Sequence, residues 1–524
     1  MKNLPLGINS LSMLRESDCI YVDKTRYVHA LTRIPGRYFL SRPRRFGKSL
    51  FVDTLKELFE GNQRLFEGLY IHDLWDWSRR FPVIVIDFAA DTVRSRTELD
   101  VRIISLLRAN AVRLGLHLAD DEDIAGQLSG LIVSAVKQYG QRAVVLVDEY
   151  DKPILDNIDK PDVAGEIREG LKNLYSVLKA QDANLQFVFM TGVSKFSKVS
   201  LFSGINQLSD LTLDARYSAL CGYTDHDLDT VFAAHLADAD RAEIRRWYNG
   251  YNWSGTDTVY NPLDILLFID KGFRFRNYWF ETGSPAFLLK LFRKNRYFLP
   301  ELENLEVSEE ILDSFEVEQI NPVTLLFQAG YLTIESAFTV IQQPFFRLRV
   351  PNFEVRAALH SQFITAYTDF LNEKTGLQRQ IDDCLRRGDI AALTGLVKRL
   401  FAAIPWRNFI HSQLPDYEGY YASVLYAFFA SLDATIIPED ISNHGQADMT
   451  VILGNHIYVM EFKVIDAQTL DDNPALAQLQ QRRYADKYRG DPTKAVHEVG
   501  WIFSRTLRGL VRADWDTTPM SNHP

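Results

Sequence analysis

Arg42-Pro43-Arg44-Arg45-Phe46-Gly47-Lys48-Ser49 decides how the first half of the chain reads. An apolar run at residues 38–41 leads into it and helical periodicity at 48–59 follows, which is the strand, loop and helix context of a phosphate-binding loop. The match to GxxxxGK[S/T] is incomplete, because Arg42 stands at the first glycine position. The mechanical part remains. Gly47 lets backbone amides approach a phosphate, the helix starting near Lys48 offers its positive end, Lys48 can reach the β and γ phosphates, and Ser49 can ligate Mg²⁺. Arg44, Arg45 and Phe46 complete the candidate nucleotide-binding stretch, and the arginines give it unusual positive charge.

A Gly-Lys-Ser triplet alone is weak, and its partner lies in a second strand. Residues 144–147 are an apolar run that ends in Asp148-Glu149. Adjacent carboxylates at a strand end suit a P-loop ATPase, the first holding Mg²⁺ through water and the second activating the attacking water. A further strand at 187–190 ends in Thr191-Gly192, placing a hydroxyl where a γ-phosphate sensor would stand if this strand lies between the other two. Arg42, Arg44, Arg45, Arg216 or a neighbouring subunit could supply a catalytic arginine.

Short apolar runs at 38–41, 83–88, 144–148 and 187–191 alternate with helical periodicity, as in a parallel α/β domain whose strands are buried on both faces. At 524 residues the chain is long enough for about three domains. The expected division is a P-loop domain at 1–222, a helical middle region and linker at 223–405, and a third domain at 406–524. The middle contains an acidic run at 301–318, with eight carboxylates and no Lys or Arg, which reads as a solvated helix and linker. With 58 Lys and Arg against 68 Asp and Glu, the whole molecule has no general attraction for nucleic acid, so a polyanion needs a local basic patch. Residues 478–513, with eight Lys or Arg against three acids, are the expected one. Three widely spaced cysteines fit buried thiols, no apolar stretch is long enough to span a bilayer, and the start lacks the order of a secretion signal, so a cytoplasmic location is expected.

A second constellation stands near the end. Asp448 begins a strand, Gly454-Asn455 makes a turn, and Glu461 and Lys463 lie on the next strand. Residues two apart on a strand share a face, so Glu461 and Lys463 can point together toward Asp448. Two carboxylates and a cation on one face suit a Mg²⁺ site for phosphodiester hydrolysis, with the lysine orienting or activating water. Glu418, on a helix-like segment upstream, could add a metal ligand. Gln478 begins a helix-like segment that continues through Arg482 and Arg483 and could lie along a phosphate backbone.

At these residues the chain resembles a bacterial family that joins an AAA-ATPase-like domain to a carboxyl-terminal PD-(D/E)xK nuclease-superfamily domain. The resemblance rests on Tyr21-Val22-Asp23-Lys24-Thr25, residues 42–49, Asp148-Glu149-Tyr150-Asp151, Thr191-Gly192-Val193-Ser194-Lys195, Tyr260-Asn261-Pro262 and Pro351-Asn352-Phe353-Glu354-Val355-Arg356, and it covers nearly the whole chain. Arg-Pro-Arg-Arg-Phe-Gly-Lys-Ser is itself that family's loop form. The resemblance implies ATP and Mg²⁺ roles for Lys48, Ser49, Asp148 and Glu149. It also matches Asp448, Glu461, Lys463 and Gln478 to the nuclease motif, with Glu418 or Glu439 as its preceding glutamate. The expected protein is an α/β P-loop NTPase with a restriction-endonuclease-like domain, binding ATP and Mg²⁺ and acting on nucleic acid, DNA before RNA. Membrane partners are not expected, and a homo-oligomer is an open form.

Overall fold

The computed structural model describes residues 1–90, 92–118, 123–195, 201–202, 208–280, 297–303, 305–313, 321–404 and 419–520. They fall into two compact units, Met1–Ser284 with Glu306–Asn352, and Pro285–Leu305 with Phe353–Pro524.

The first unit is built on β1 (Gly36–Ser41), β2 (Val83–Asp87), β3 (Ala143–Asp148), β4 (Leu185–Gly192) and the two-residue β5 (Ser209–Asp210), in the order β2-β3-β4-β1-β5. Every pairing is parallel. All six residues of β3 are buried, as two covered faces require. The helices Arg96–Leu114, Ile124–Tyr139 and Pro161–Ala180 contribute Leu99, Ile103, Leu131, Leu171 and Leu174 to the same core as Val145 and Val147. Ser95 and Asp123 cap the first two of these helices, and Gly115 and Gly140 close them in the left-handed region. Because β4 lies between β3 and β1, the loop after β1 and the carboxylates after β3 open at the same end of the sheet.

The described residues of the stretch 223–405 are mostly helical, yet the stretch is shared between the units, with 223–284 and 306–352 in the first and 353–404 in the second. The physical reason is the core. Tyr248, Ile265, Phe268 and Tyr278 pack with Ile20 and Val22 of the amino-terminal segment, so the change in composition near residue 223 marks no break in packing. This region also carries a three-stranded sheet of order β6-β8-β7, formed by β6 (Leu305–Ser308), β7 (Thr333–Val340) and β8 (Gln343–Arg349).

The second unit contains β9 (Thr435–Ser442), β10 (Gly445–Leu453), β11 (His456–Ile465), β12 (Ala495–Ser504) and β13 (Gly509–Thr518), ordered β13-β12-β11-β10-β9. Only β11 and β12 run parallel. The expected turn joins β10 to β11, with Gly454 at φ 58°. The helix Pro474–Arg482 crosses the sheet at Gly500, where an added Cβ would lie 2.4 Å from the backbone nitrogen of Leu476. Among the described residues no helix is long and apolar enough to cross a membrane. Cys19, Cys221 and Cys384 are free and buried.

One feature of this sheet makes stability depend on acid. His456 Nδ1 and His497 Nε2 are 2.9 Å apart, His497 Nδ1 is 2.9 Å from Thr517 Oγ1, and the His497 ring stacks on Tyr458. Burial, and then the second imidazole, push His497 down to about 4 from 6.5. The unfolded chain therefore binds more protons between those values, and the stabilisation present above pH 6.5 is lost as pH falls toward 4. Urea titrations at pH 7 and pH 5 should show the second unit weaker at the lower pH. His497→Phe, which keeps a ring on Tyr458, should remove that part of the difference; an unchanged difference would exclude His497 as its source.

Candidate functional site

The loop after β1 is shaped as a phosphate cradle. Arg45 (φ 68°) and Gly47 (φ 89°) are left-handed while Arg44 and Phe46 between and before them are not, so successive residues alternate in hand and turn their amides inward. Gly47 is there for its backbone, since an added Cβ would meet nothing within 4 Å. Lys48 opens the helix Lys48–Phe59, and its Nζ donates to the carbonyls of Arg42 (2.9 Å) and Pro43 (3.0 Å). Phe46 is buried edge-on against Tyr251 and Trp253, which anchors the loop from below.

Arg42, at the first glycine position, has a structural task. It is fully buried, donates to the carbonyls of Ser41, Thr212 and Tyr217, and lies over the Trp253 ring at 4.2 Å. Burial holds its guanidinium down to about 10. Restoring the usual glycine by Arg42→Gly would strand three buried carbonyls, each costing roughly 1–3 kcal/mol. The expected result is a loss of more than about 3 kcal/mol of stability with no gain in nucleotide affinity; a denaturation midpoint matching that of the parent would refute this assignment.

The Ser49 hydroxyl is near enough to Asp148 to lower its carboxyl, so the loop and the end of β3 come together. Asp148 is buried, which raises it to about 6 against the opposing pull of Ser49 and Lys48. Glu149, at φ 50°, leaves the strand and lines a cleft of about 560 Å³ together with Arg44, Arg45 and residues 46–49. Desolvation raises its carboxyl as well, while Lys48 and Arg44 pull it down. Ile8, Ile20, Val22, Leu263 and Leu266 are apolar members of the same cleft lining.

Thr191 is placed differently from the expectation. β4 does lie between β3 and β1, but the Thr191 hydroxyl is fully buried and donates to Leu40 O at 2.9 Å, binding β4 to β1. Asp151, which carried no role in the sequence reading, accepts from Val193 N, Ser194 N and Ser194 Oγ and so ties the end of β3 to the end of β4. Gly192 makes room for this, since a Cβ there would sit 2.4 Å from Asp151 Oδ1 and 2.6 Å from the Tyr150 ring. Asn261 and Trp279 donate side-chain hydrogens to Arg44 O. The Tyr-Asn-Pro motif pointed to the first of these, whereas no sequence signal pointed to Trp279.

In the second unit, Asp448, Glu461 and Lys463 come together. Asp448 is half-buried inside β10, not on an open hairpin end, and its Oδ2 accepts from Phe462 N at 2.6 Å. Glu461 is 2% exposed; its Oε1 accepts from Lys463 Nζ at 2.7 Å, while its Oε2 is buried and has no hydrogen-bond partner. Desolvation, reinforced by the Asp448 charge, pushes Glu461 up to about 7. A buried carboxylate oxygen without a donor, next to a second carboxylate, fits a hard cation such as Mg²⁺. Among the described residues no group of three or more His, Cys, Asp and Glu gathers as a metal set. Glu418 lies outside the described residues, and Glu439 is exposed on β9.

Gln478 is half-buried on the helix Pro474–Arg482, whose Ala475 and Leu479 face the sheet, and Arg482 is exposed. Arg483 pairs with Asp486. The basic excess of 478–513 is largely consumed within the unit: Lys487 binds Asp440, Arg489 binds Glu498 and Asp486, Arg505 binds Asp466 and Arg512 binds Asp514. Over 419–520 there are nine Lys and Arg against thirteen Asp and Glu, so the local excess does not make the unit basic. Asp440, missed in the sequence, is the hub, accepting from Thr450, Lys487 and Tyr488.

Two family models match the chain, one described as a predicted AAA-ATPase over residues 5–202 and one as the PD-(D/E)XK nuclease superfamily over residues 416–512. A protein of Azotobacter chroococcum mcd 1, known only as an uncharacterized protein in the vnfD 5' region, is 49% identical over 516 residues, covering 97% of this chain and 98% of that one. The solved structure of the Aeropyrum pernix ORC1 protein in complex with DNA aligns with 66% of this chain and 94% of that chain at 10% identity and a TM-score of 0.28, too slight a likeness to carry an argument. With a relative alike along nearly its whole length and both ends matched, the chain belongs to the family that joins a predicted AAA-ATPase domain to a carboxyl-terminal PD-(D/E)XK nuclease-superfamily domain.

Proposed function

We propose that the first unit binds and hydrolyses ATP with Mg²⁺ and that the second cleaves nucleic acid, DNA before RNA, in a metal-dependent step. The observation that supports the cleavage most is the Glu461 carboxylate, kept buried with Oε2 unpaired beside Asp448 and Lys463. A buried carboxylate oxygen left without a donor is costly for folding alone, and a ligand role accounts for it. Asp448 and Glu461 would hold Mg²⁺, which when bound polarises the phosphate and lowers the pKa of water. Lys463 orients that water and steadies the developing negative charge. In the first unit Arg44, Arg45, Phe46, Gly47, Lys48 and Ser49 form the loop around the phosphates, Asp148 backs Ser49, and Glu149 takes the proton from the attacking water. The apolar part of the cleft lining suits a nucleobase.

Glu149→Gln tests the hydrolytic half. Nucleotide affinity should stay within about threefold while turnover falls by roughly 10²-fold or more, since the amide keeps the shape but cannot accept the proton. Equal turnover would remove Glu149 from the mechanism. On the nucleic-acid side Gln478, Arg482 and Arg483 are the proposed contacts. With so many cations already paired, log affinity should fall only shallowly with log salt. A steep slope would place the contact surface elsewhere.

A further inference from the structure

We infer that Trp279, with Asn261 beside it, is a positioning residue for phosphate binding: it holds the Arg44–Arg45 peptide so that the Arg45 amide faces the bound phosphates. This rests on the ATP-binding reading above and deepens it, by extending the nucleotide site past the sheet to residue 279.

A loop that binds phosphate through backbone amides needs each peptide turned the right way, and in a trans peptide the carbonyl and the following N–H point in opposite directions. Whatever draws the carbonyl therefore aims the amide. The Arg44 carbonyl accepts from Trp279 Nε1 at 3.2 Å and from Asn261 Nδ2 at 3.5 Å, the first being the stronger bond by length. Arg44 and Arg45 line the cleft, whereas Trp279 and Asn261 lie outside that lining. The two donors draw the carbonyl away from the cleft, and the Arg45 N–H at the other side of the same peptide is turned toward it. Among the described residues that N–H has no acceptor. Arg45 is also left-handed at φ 68°, a conformation that persists in a residue with a long side chain where the surroundings hold it.

Both donors are themselves held. The Trp279 ring is buried and packs on Tyr331 with centroids 5.2 Å apart, so its N–H has a fixed direction. Asn261 is fully buried, and its Oδ1 accepts from Leu263 N to cap the helix Pro262–Asp270, which leaves the amide nitrogen for Arg44 O. Neither side chain has to touch the nucleotide. When a phosphate accepts from the Arg45 N–H, the peptide polarises and its carbonyl becomes a better acceptor, so the Trp279 bond strengthens as the site fills.

The test uses the full chain with fluorotryptophan in place of its eight tryptophans, and tripolyphosphate, which carries phosphates without a base. The fluorine resonance that is missing from Trp279→Phe should shift when tripolyphosphate saturates the parent protein. Trp279→Phe keeps a ring against Tyr331 and loses only the donor, so it should weaken ATP, ADP and tripolyphosphate by one common factor, roughly fivefold, the worth of a single hydrogen bond. Asn261→Asp keeps the oxygen that caps the helix but sets a carboxylate against the Arg44 carbonyl, and it too should weaken all three; it carries the test if Trp279→Phe does not fold. A tryptophan kept for packing alone would lower the melting temperature of the nucleotide-free protein and leave the resonance in place on saturation. That result, or parent-like affinities in both variants, would overturn the assignment while leaving the ATP-binding reading intact. A parent protein that binds neither ATP nor tripolyphosphate would overturn both.

Discussion

Lys48→Ala is expected to abolish ATP binding, with affinity falling by at least roughly 10²-fold, about the worth of two charge-assisted hydrogen bonds in a buried setting. The ammonium is buried between the loop carbonyls and the two carboxylates after β3, and burial lowers its pKa while Asp148 and Glu149 raise it. Its removal acts twice. The phosphates lose their cation, and Asp148 loses a charge that helps hold its carboxyl down to about 6, so the metal-holding form becomes scarcer at neutral pH. Lys48→Met fills the same space and separates the charge from the packing. Titration with a fluorescent ATP analogue decides it, and binding within threefold of the parent in both variants would contradict the loop assignment.

Glu461→Gln is expected to eliminate cleavage while making the metal-free protein more stable. The first effect follows from losing a ligand and its charge, several kcal/mol of transition-state stabilisation and so roughly a 10³-fold loss in rate. The second follows from burial: a carboxyl pushed up to about 7 is held in a place that disfavours its charge, and the amide carries none. Opposite signs for activity and stability distinguish a functional carboxylate from one kept for packing. Asp448→Asn should lose cleavage with a smaller gain, since the amide oxygen can still accept from Phe462 N and only the secondary repulsion of Glu461 is relieved. Lys463→Ala should bind metal only at higher pH, because Lys463 pulls the Glu461 carboxyl down.

The first unit was legible because its strands are short continuous apolar runs, the pattern of a sheet covered on both faces, and because the loop and the β3 carboxylates are local in sequence. Among the strands of the second unit only β10 and β11 were legible. β9 contains Pro438, Glu439 and Asp440, β12 interrupts its apolar run with His497 and Glu498, and β13 alternates Arg512, Asp514 and Asp516 with apolar neighbours. Their polar residues are explained by partners far along the chain, such as Lys487 for Asp440 and Arg489 for Glu498, which a local pattern does not contain. The same blindness made residues 478–513 look like a free basic surface. Arg42 looked like a defect in a motif because its three carbonyl partners come from residues 41, 212 and 217.

Incubating the full chain and Glu461→Gln with labelled single- and double-stranded DNA and with RNA, in Mg²⁺ or Mn²⁺, with and without ATP, decides whether the second unit is a nuclease. Metal-dependent cleavage of at least one of these by the parent protein, and none by the variant, is the expected result. If both proteins fold and the parent binds metal, yet every substrate survives or the variant cuts as well as the parent, the Asp448, Glu461 and Lys463 cluster is not a nuclease centre.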